Sequence, residues 1–128
     1  GRYEAALTLI DTRLSLMSKM GVGVYLADHL HYRGLALQNL GREEEALQSL
    51  HEAYAVTQLQ GVHSDRWRLL SDLVELDPDP LKKADYRNEA IEEINYLIAN
   101  INAPVVVEAF RSLPAVTRLF EGQQPLGA

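Results

Sequence analysis

The sequence contains no cysteine, which removes disulfides, zinc-cysteinate centres and thiol catalysis from consideration. Positive charge is in deficit: 12 Lys and Arg stand against 18 Asp and Glu, a formal net charge of −6 with a pI near 5.1. A groove that collects phosphates needs clustered cations, so direct binding of nucleic acid is not expected. No apolar run approaches the roughly 18 to 20 residues that span a bilayer. A soluble, cytoplasmic chain with no membrane partner is therefore expected. β-branched clusters are scarce as well. The one run, Val105 to Val107, follows Pro104 and precedes Glu108, and reads as the first turns of a short helix with proline at its start. What remains is a chain of 128 residues, 47% of them hydrophobic, long enough to bury a core as one domain.

Apolar residues recur at helical spacing. Near the start, Ala6, Leu7, Ile10, Leu14 and Met17 follow the i, i+3, i+4, i+7 rule and leave Glu4, Asp11, Arg13 and Lys19 mostly elsewhere. From Tyr25 to Leu40, a stripe of Leu26, Leu30, Gly34, Leu37 and Leu40 forms a second helix. Gly21, Gly41 and Gly61 fall at intervals of twenty. Each stands where a helix is expected to stop, because glycine takes the left-handed C-cap conformation without a Cβ penalty. Ser64 is expected to cap a helix that turns Trp67, Leu70, Leu73 and Val74 inward. Asp-Pro-Asp-Pro at 77–80 ends it, and Pro80 opens a long helix over roughly 81–100. Its apolar side is Ala84, Ala90, Ile91, Ile94, Leu97, Ile98 and Ile101. Two short helices follow, about 104–113 and 114–120, then a polar tail. The spacing predicts an all-α fold of about five long helices and two short ones.

One motif is written twice. Gly-Arg-x-Glu-x-Ala-Leu runs from Gly1 to Leu7 and again from Gly41 to Leu47. Sliding the chain by forty residues also pairs Gly21 with Gly61, Val22 with Val62, and Leu30 with Leu70. Matches confined to turns and core positions are what a repeated helical hairpin imposes. Each copy of the motif then starts the second helix of a hairpin. A chain that begins inside such a motif is expected to be a piece of something longer.

The pattern resembles the tetratricopeptide repeat, whose first helix follows W-x₂-L-G-x₂-Y and whose second follows A-x₃-F. Leu30, Arg33, Gly34 and Leu37 occupy the first set, and Ala46 with Leu50 the second. Gly41 marks the turn between them, Ala53 is a later small position, and Ala6 with Ile10 repeat the second-helix half. The departures are a spacing of forty residues, Leu at the Trp and Tyr positions, Arg33 where the pattern has Leu, and no proline at Gln58. The resemblance implies a right-handed superhelix of antiparallel hairpins. In this reading 1–20 is the second helix of a truncated repeat, 24–60 a full repeat, 64–101 a degenerate one, 104–120 two capping helices and 121–128 a flexible tail. It is also similar to the C-terminal repeats of large bacterial signalling ATPases and LuxR- or MalT-like regulators. In those proteins a segment resembling 101–120, with Phe110, Leu113, Pro114 and Val116 as the matching residues, follows a long penultimate helix.

Catalytic and metal-binding chemistry is sought and not found. His29 and His31 stand two apart, so on a helix they point about 200° apart and cannot share an ion; with His51 and His63 they read as separate histidines, and no metal or other cofactor is expected. Glu43, Glu44 and Glu45 sit in a first helical turn, where carboxylates oppose the positive end of the dipole. Glu92 and Glu93 are expected on the outer side of the long helix. His63, Ser64 and Asp65 are adjacent in sequence, which is not the geometry of a triad. Trp67 reads as a core anchor with Arg66 and Arg68 snorkelling on either side, and Tyr25, Tyr32 and Tyr54 as packing residues with polar tips.

A non-catalytic interaction scaffold is the function these observations favour, with a sensor of a small effector or signalling peptide as the alternative. The resemblance implies that first helices line a concave, partner-binding surface. It selects Asp28, His31, Leu35, Gln38 and Asn39 in the full repeat, and Arg68, Ser71, Asp72 and Glu75 in the degenerate one. The Lys and Asn set with which chaperone-binding relatives clamp a C-terminal carboxylate is missing, since His31 and Leu35 stand there. The partner implied is a protein, a peptide or another domain of the parent chain. A homodimer is a further possibility, through the first-helix side bearing Leu7, Ile10 and Leu14.

Overall fold

The computed structural model describes residues 1–20, 25–60 and 66–121. Among them are seven helices and no strand: α1 (Arg2–Met20), α2 (Leu26–Asn39), α3 (Glu43–Gln60), α4 (Arg66–Leu76), α5 (Pro80–Ala99), α6 (Pro104–Arg111) and α7 (Pro114–Phe120). The chain is all-α, as the spacing predicts. The expected stops at Gly21 and Gly61, the Ser64 cap and the tail beyond Glu121 lie outside the described residues.

Helix ends follow from identifiable residues. Gly41 takes φ +76°, with its amide donating to Gln38 O at 3.0 Å and the Arg42 amide to Leu37 O at 2.9 Å. This paired closure satisfies carbonyls that α2 leaves open. Asp79 caps α5 by accepting the Leu81 amide at 3.0 Å, with Pro80 in the first turn. Prolines likewise open α6 and α7.

Each of the first four helices packs on the next, and α7 settles against α4, α5 and α6. Residue pairings fix the directions. Gly34 meets Ala46 and Leu50 while Ser49 Oγ donates to Leu30 O at 2.8 Å, so α2 and α3 run antiparallel. Thr57 with Arg66 and His51 with Asp77 set the same relation between α3 and α4. The main core gathers Leu50, Ala53, Trp67, Leu70, Leu73, Ile94, Val116 and Leu119. A smaller one holds Leu7, Ala36, Leu37 and Ala46.

Several positions differ from the sequence reading. Leu7 is buried against α2 and α3, so it is not part of an open edge; the exposed leucines of α1 are Leu9 and Leu16. Ala84 is exposed and Tyr86 is buried in its stead. Tyr25 and Tyr32 are exposed and outside the core, Tyr32 stacking on the neighbouring His31 ring with centroids 6.0 Å apart. In each case the helix is where its periodicity puts it, and its rotation against neighbours decides which flank is covered.

Gly34 is the tightest point of the hairpin. A Cβ there would lie 2.6 Å from Leu50 Cδ2, 2.8 Å from Leu50 Cγ and 3.2 Å from Ala46 O, all on a helix that cannot give way easily. Gly34→Ala recovers about 1 kcal/mol of helix propensity but forces an overlap costing about 1–3 kcal/mol. A net loss of about 1 kcal/mol in urea unfolding is expected, where an open helical glycine would gain.

Candidate functional site

The residues selected for the concave surface lie on α2 and α4. His31 and Asp72 come together: Nε2 of His31 donates to Oδ2 of Asp72 at 2.6 Å, and the side chains keep 13% and 33% of their exposure. Gln38, Asn39, Arg68 and Glu75 are exposed, and Asp28 and Leu35 half-buried. Asn39 Nδ2 is held on Leu35 O at 2.8 Å. Arg68 covers the Trp67 ring, its guanidinium carbon 4.6 Å from the ring centroid. Glu75 faces Arg118 of α7 at 3.6 Å. Ser71 does not join this surface. It is buried in α4 between core residues Leu70 and Leu73, so it is unavailable to a partner.

The small and apolar repeat positions occupy the interior where the repetition is complete: Gly34, Ala46, Leu50 and Ala53 are buried, and Gly41 makes the turn. Ala6 and Ile10, their α1 counterparts, are half-buried.

Polar side chains that sequence reasoning left on the outside build a second feature between α3, α4 and α5. Arg66 retains 10% of its side-chain exposure, donating from Nη1 to Glu93 at 2.7 Å, from Nη2 to Glu89 at 3.2 Å and from Nε to Thr57 Oγ1 at 3.0 Å. Its guanidinium lies 5.1 Å from the Tyr54 ring centroid, and Tyr54 OH donates to Glu89 at 2.9 Å. Arg66 therefore does not snorkel, and Glu93 is not on the outer side of α5. Burial disfavours the guanidinium charge, yet Glu93 and Glu89 more than reverse this and raise its pKa. Burial, then the bond to Glu89, raises the Tyr54 hydroxyl.

Asp77 anchors the α4–α5 turn. It accepts the Asp79 amide at 3.0 Å and His51 Nε2 at 2.9 Å, and Tyr86 OH approaches to 3.5 Å. Burial pushes the carboxyl up, but the Asp79 amide, His51 and the Lys82 charge together hold it below its ordinary value. Tyr86, buried beside that carboxylate, is pushed up to about 12. A carboxyl depressed by folding contributes stability above its unfolded value and loses it as pH falls through the folded one. Unfolding free energy is thus expected to drop as the pH goes below about 4, read by thermal melts. Asp77→Asn is expected to cost about 1–3 kcal/mol at neutral pH and to flatten that acid slope.

No group of three or more His, Cys, Asp or Glu is gathered for a metal ion among the described residues. His29 Nδ1 meets Tyr25 O at 2.9 Å while His31 turns to Asp72, so the two histidines serve different contacts. A recess of about 450 Å³ lies between Ile98, Val116 and Phe120, rimmed by Asn95, Arg111 and Thr117; none of the selected surface residues lines it. None of the described helices is long and apolar enough to cross a membrane. No protein-family model matches the chain, and comparisons with curated proteins and with solved structures gave no match.

Proposed function

We propose that this chain is a non-catalytic interaction module, a tetratricopeptide-like stack of hairpins that holds a protein, a peptide or another domain of its own polypeptide along α2 and α4. The observation that carries this reading is the His31–Asp72 bond, which joins residues 41 positions apart. That offset is close to the forty-residue repeat, as expected when first helices of consecutive hairpins lie side by side. The exposed residues along the two helices, Gln38, Asn39, Arg68 and Glu75, mix both charges with neutral polar groups and suit a polar polypeptide better than an apolar small molecule. A setting within a bacterial signalling or transcription-regulatory protein rests on the sequence resemblance alone.

Photo-crosslinking amino acids at Gln38 and Glu75, compared with the same groups at exposed Glu52 and Leu59 of α3, test the reading in cells. A defined polypeptide captured from the first pair, lost on His31→Ala, is expected. Equal capture from all four positions, or a small molecule as the saturating ligand, contradicts it.

A further inference from the structure

The recess of about 450 Å³ is walled by α5, the end of α6 and α7, so it is a concavity built by three helices. Its size falls in the range of small-molecule sites, roughly 300–1,000 Å³. The floor is apolar: Val116 is buried, and Ile98 and Phe120 are half-buried beside it. Two charges of opposite sign line the same space. Arg111 ends α6 just before α7 begins, its carbonyl accepting the Thr117 hydroxyl at 3.3 Å, and Glu121 is the C-cap of α7. Neither side chain makes an ion pair or a hydrogen bond among the described residues. α7 has seven residues, so at 1.5 Å per residue the two charges stem from points about 10 Å apart. The recess beside Tyr54 and Tyr86 is of another kind: Asp85, Glu89 and Glu92 line it with a single lysine, Lys82, and an anion is repelled there.

We propose that this recess binds a medium-chain monocarboxylate, its carboxylate on the Arg111 guanidinium and its hydrocarbon tail laid over Ile98, Val116 and Phe120 toward Glu121. A carboxylate is the group that matches an unpaired planar guanidinium, which holds it through two parallel hydrogen bonds. An apolar body is what the half-covered Ile98 and Phe120 select, because binding then removes hydrocarbon area from water on both partners. Glu121 fixes the orientation and narrows the class. A second carboxylate at the tail end meets a like charge, so dicarboxylates are rejected. Chain length follows from α7: an eight-carbon acid extends about 9 Å, close to the separation of the two charges. None of the residues placed on the α2 and α4 strip lines the recess, so this site and the polypeptide-binding reading can each fail alone.

The probe is octanoate, titrated into the whole chain by isothermal calorimetry. Saturable binding at one site is expected, weakening about fourfold for each methylene removed from the acid. Octanamide keeps the tail and loses the charge, and is expected to bind about tenfold more weakly. Arg111→Gln is expected to erase that difference by weakening octanoate alone. Suberate, the eight-carbon dicarboxylate, is expected to bind the Glu121→Gln variant and not the parent chain. Both substitutions are at exposed positions, and unchanged thermal melts confirm intact folding. Absence of saturable binding, equal binding of octanoate and octanamide, or octanoate binding indifferent to Arg111→Gln overturns the proposal. Octanoate binding that appears only after residues 122–128 are deleted overturns it in favour of the chain's own end as the occupant.

Discussion

Trp67→Ala is expected to lower the unfolding free energy by about 3–5 kcal/mol, a large share of the roughly 5–15 kcal/mol that holds a domain together. Trp67 stands near the start of α4, is essentially removed from solvent, and lies in the main core with Leu70, Leu73 and Ile94. Its ring meets Phe110 of α6 edge-on, centroids 5.4 Å apart at 86°. That contact matters more than its own energy suggests, because α6 has no fully buried residue. Taking away the indole leaves a cavity in the core and removes the surface on which Phe110 rests. The expected pattern is uneven: amides of Val107 to Arg111 lose hydrogen-exchange protection while those of α2 and α3 keep theirs. Trp67→Phe retains an aromatic partner and is expected to cost less than half as much. A loss below about 1 kcal/mol in denaturant melts, or uniform loss of protection, contradicts this account of the core.

The helices and their ends were legible because both depend on near neighbours. Apolar spacing locates α1 to α5, and Gly41, Pro80, Pro104 and Pro114 mark boundaries through backbone geometry that no distant contact alters. The Gly34 crossing was legible for a related reason: a small residue in a leucine-rich stripe and an alanine in the next helix together admit close approach. The side of each helix that carries polar residues inward was not legible. Glu93 and Arg66 lie 27 positions apart and His51 and Asp77 lie 26 apart, with only the rotation of each helix bringing them together. Local rules put a glutamate beside another glutamate on the wet side of α5, and Glu92 is indeed there. A one-residue step around the helix turns Glu93 inward, and burial is then tolerable because Arg66 waits for it. Ser71 shows the converse. Family geometry assigned it to an open surface, but α4 turns it inward, where it is buried.

Arg66→Met is the second substitution expected to have a large effect, for a reason opposite to that of Trp67. Methionine nearly fills the space, so little packing is lost. What changes is that Glu93, with 13% of its side chain exposed, and Glu89, with 36%, lose their bonds to the guanidinium. Removing one partner of a buried ion pair costs about 3–5 kcal/mol. Water already screens Glu89, so the lower end, about 3 kcal/mol, is expected here. The source of that cost is testable, because a part-buried carboxylate that loses a neighbouring cation is relieved by taking up a proton. Such a group contributes more stability at low pH and loses it as pH rises. The deficit of Arg66→Met relative to the parent chain is therefore expected to be full at neutral pH and to shrink as the pH enters the carboxyl range. Adding Glu93→Gln to Arg66→Met is expected to recover part of the loss at neutral pH and to weaken the pH dependence. Urea melts of the three proteins at several pH values provide the measurement. If the double variant proves less stable than Arg66→Met alone, packing around the Arg66 stem, and not its charge, is what holds α3, α4 and α5 together.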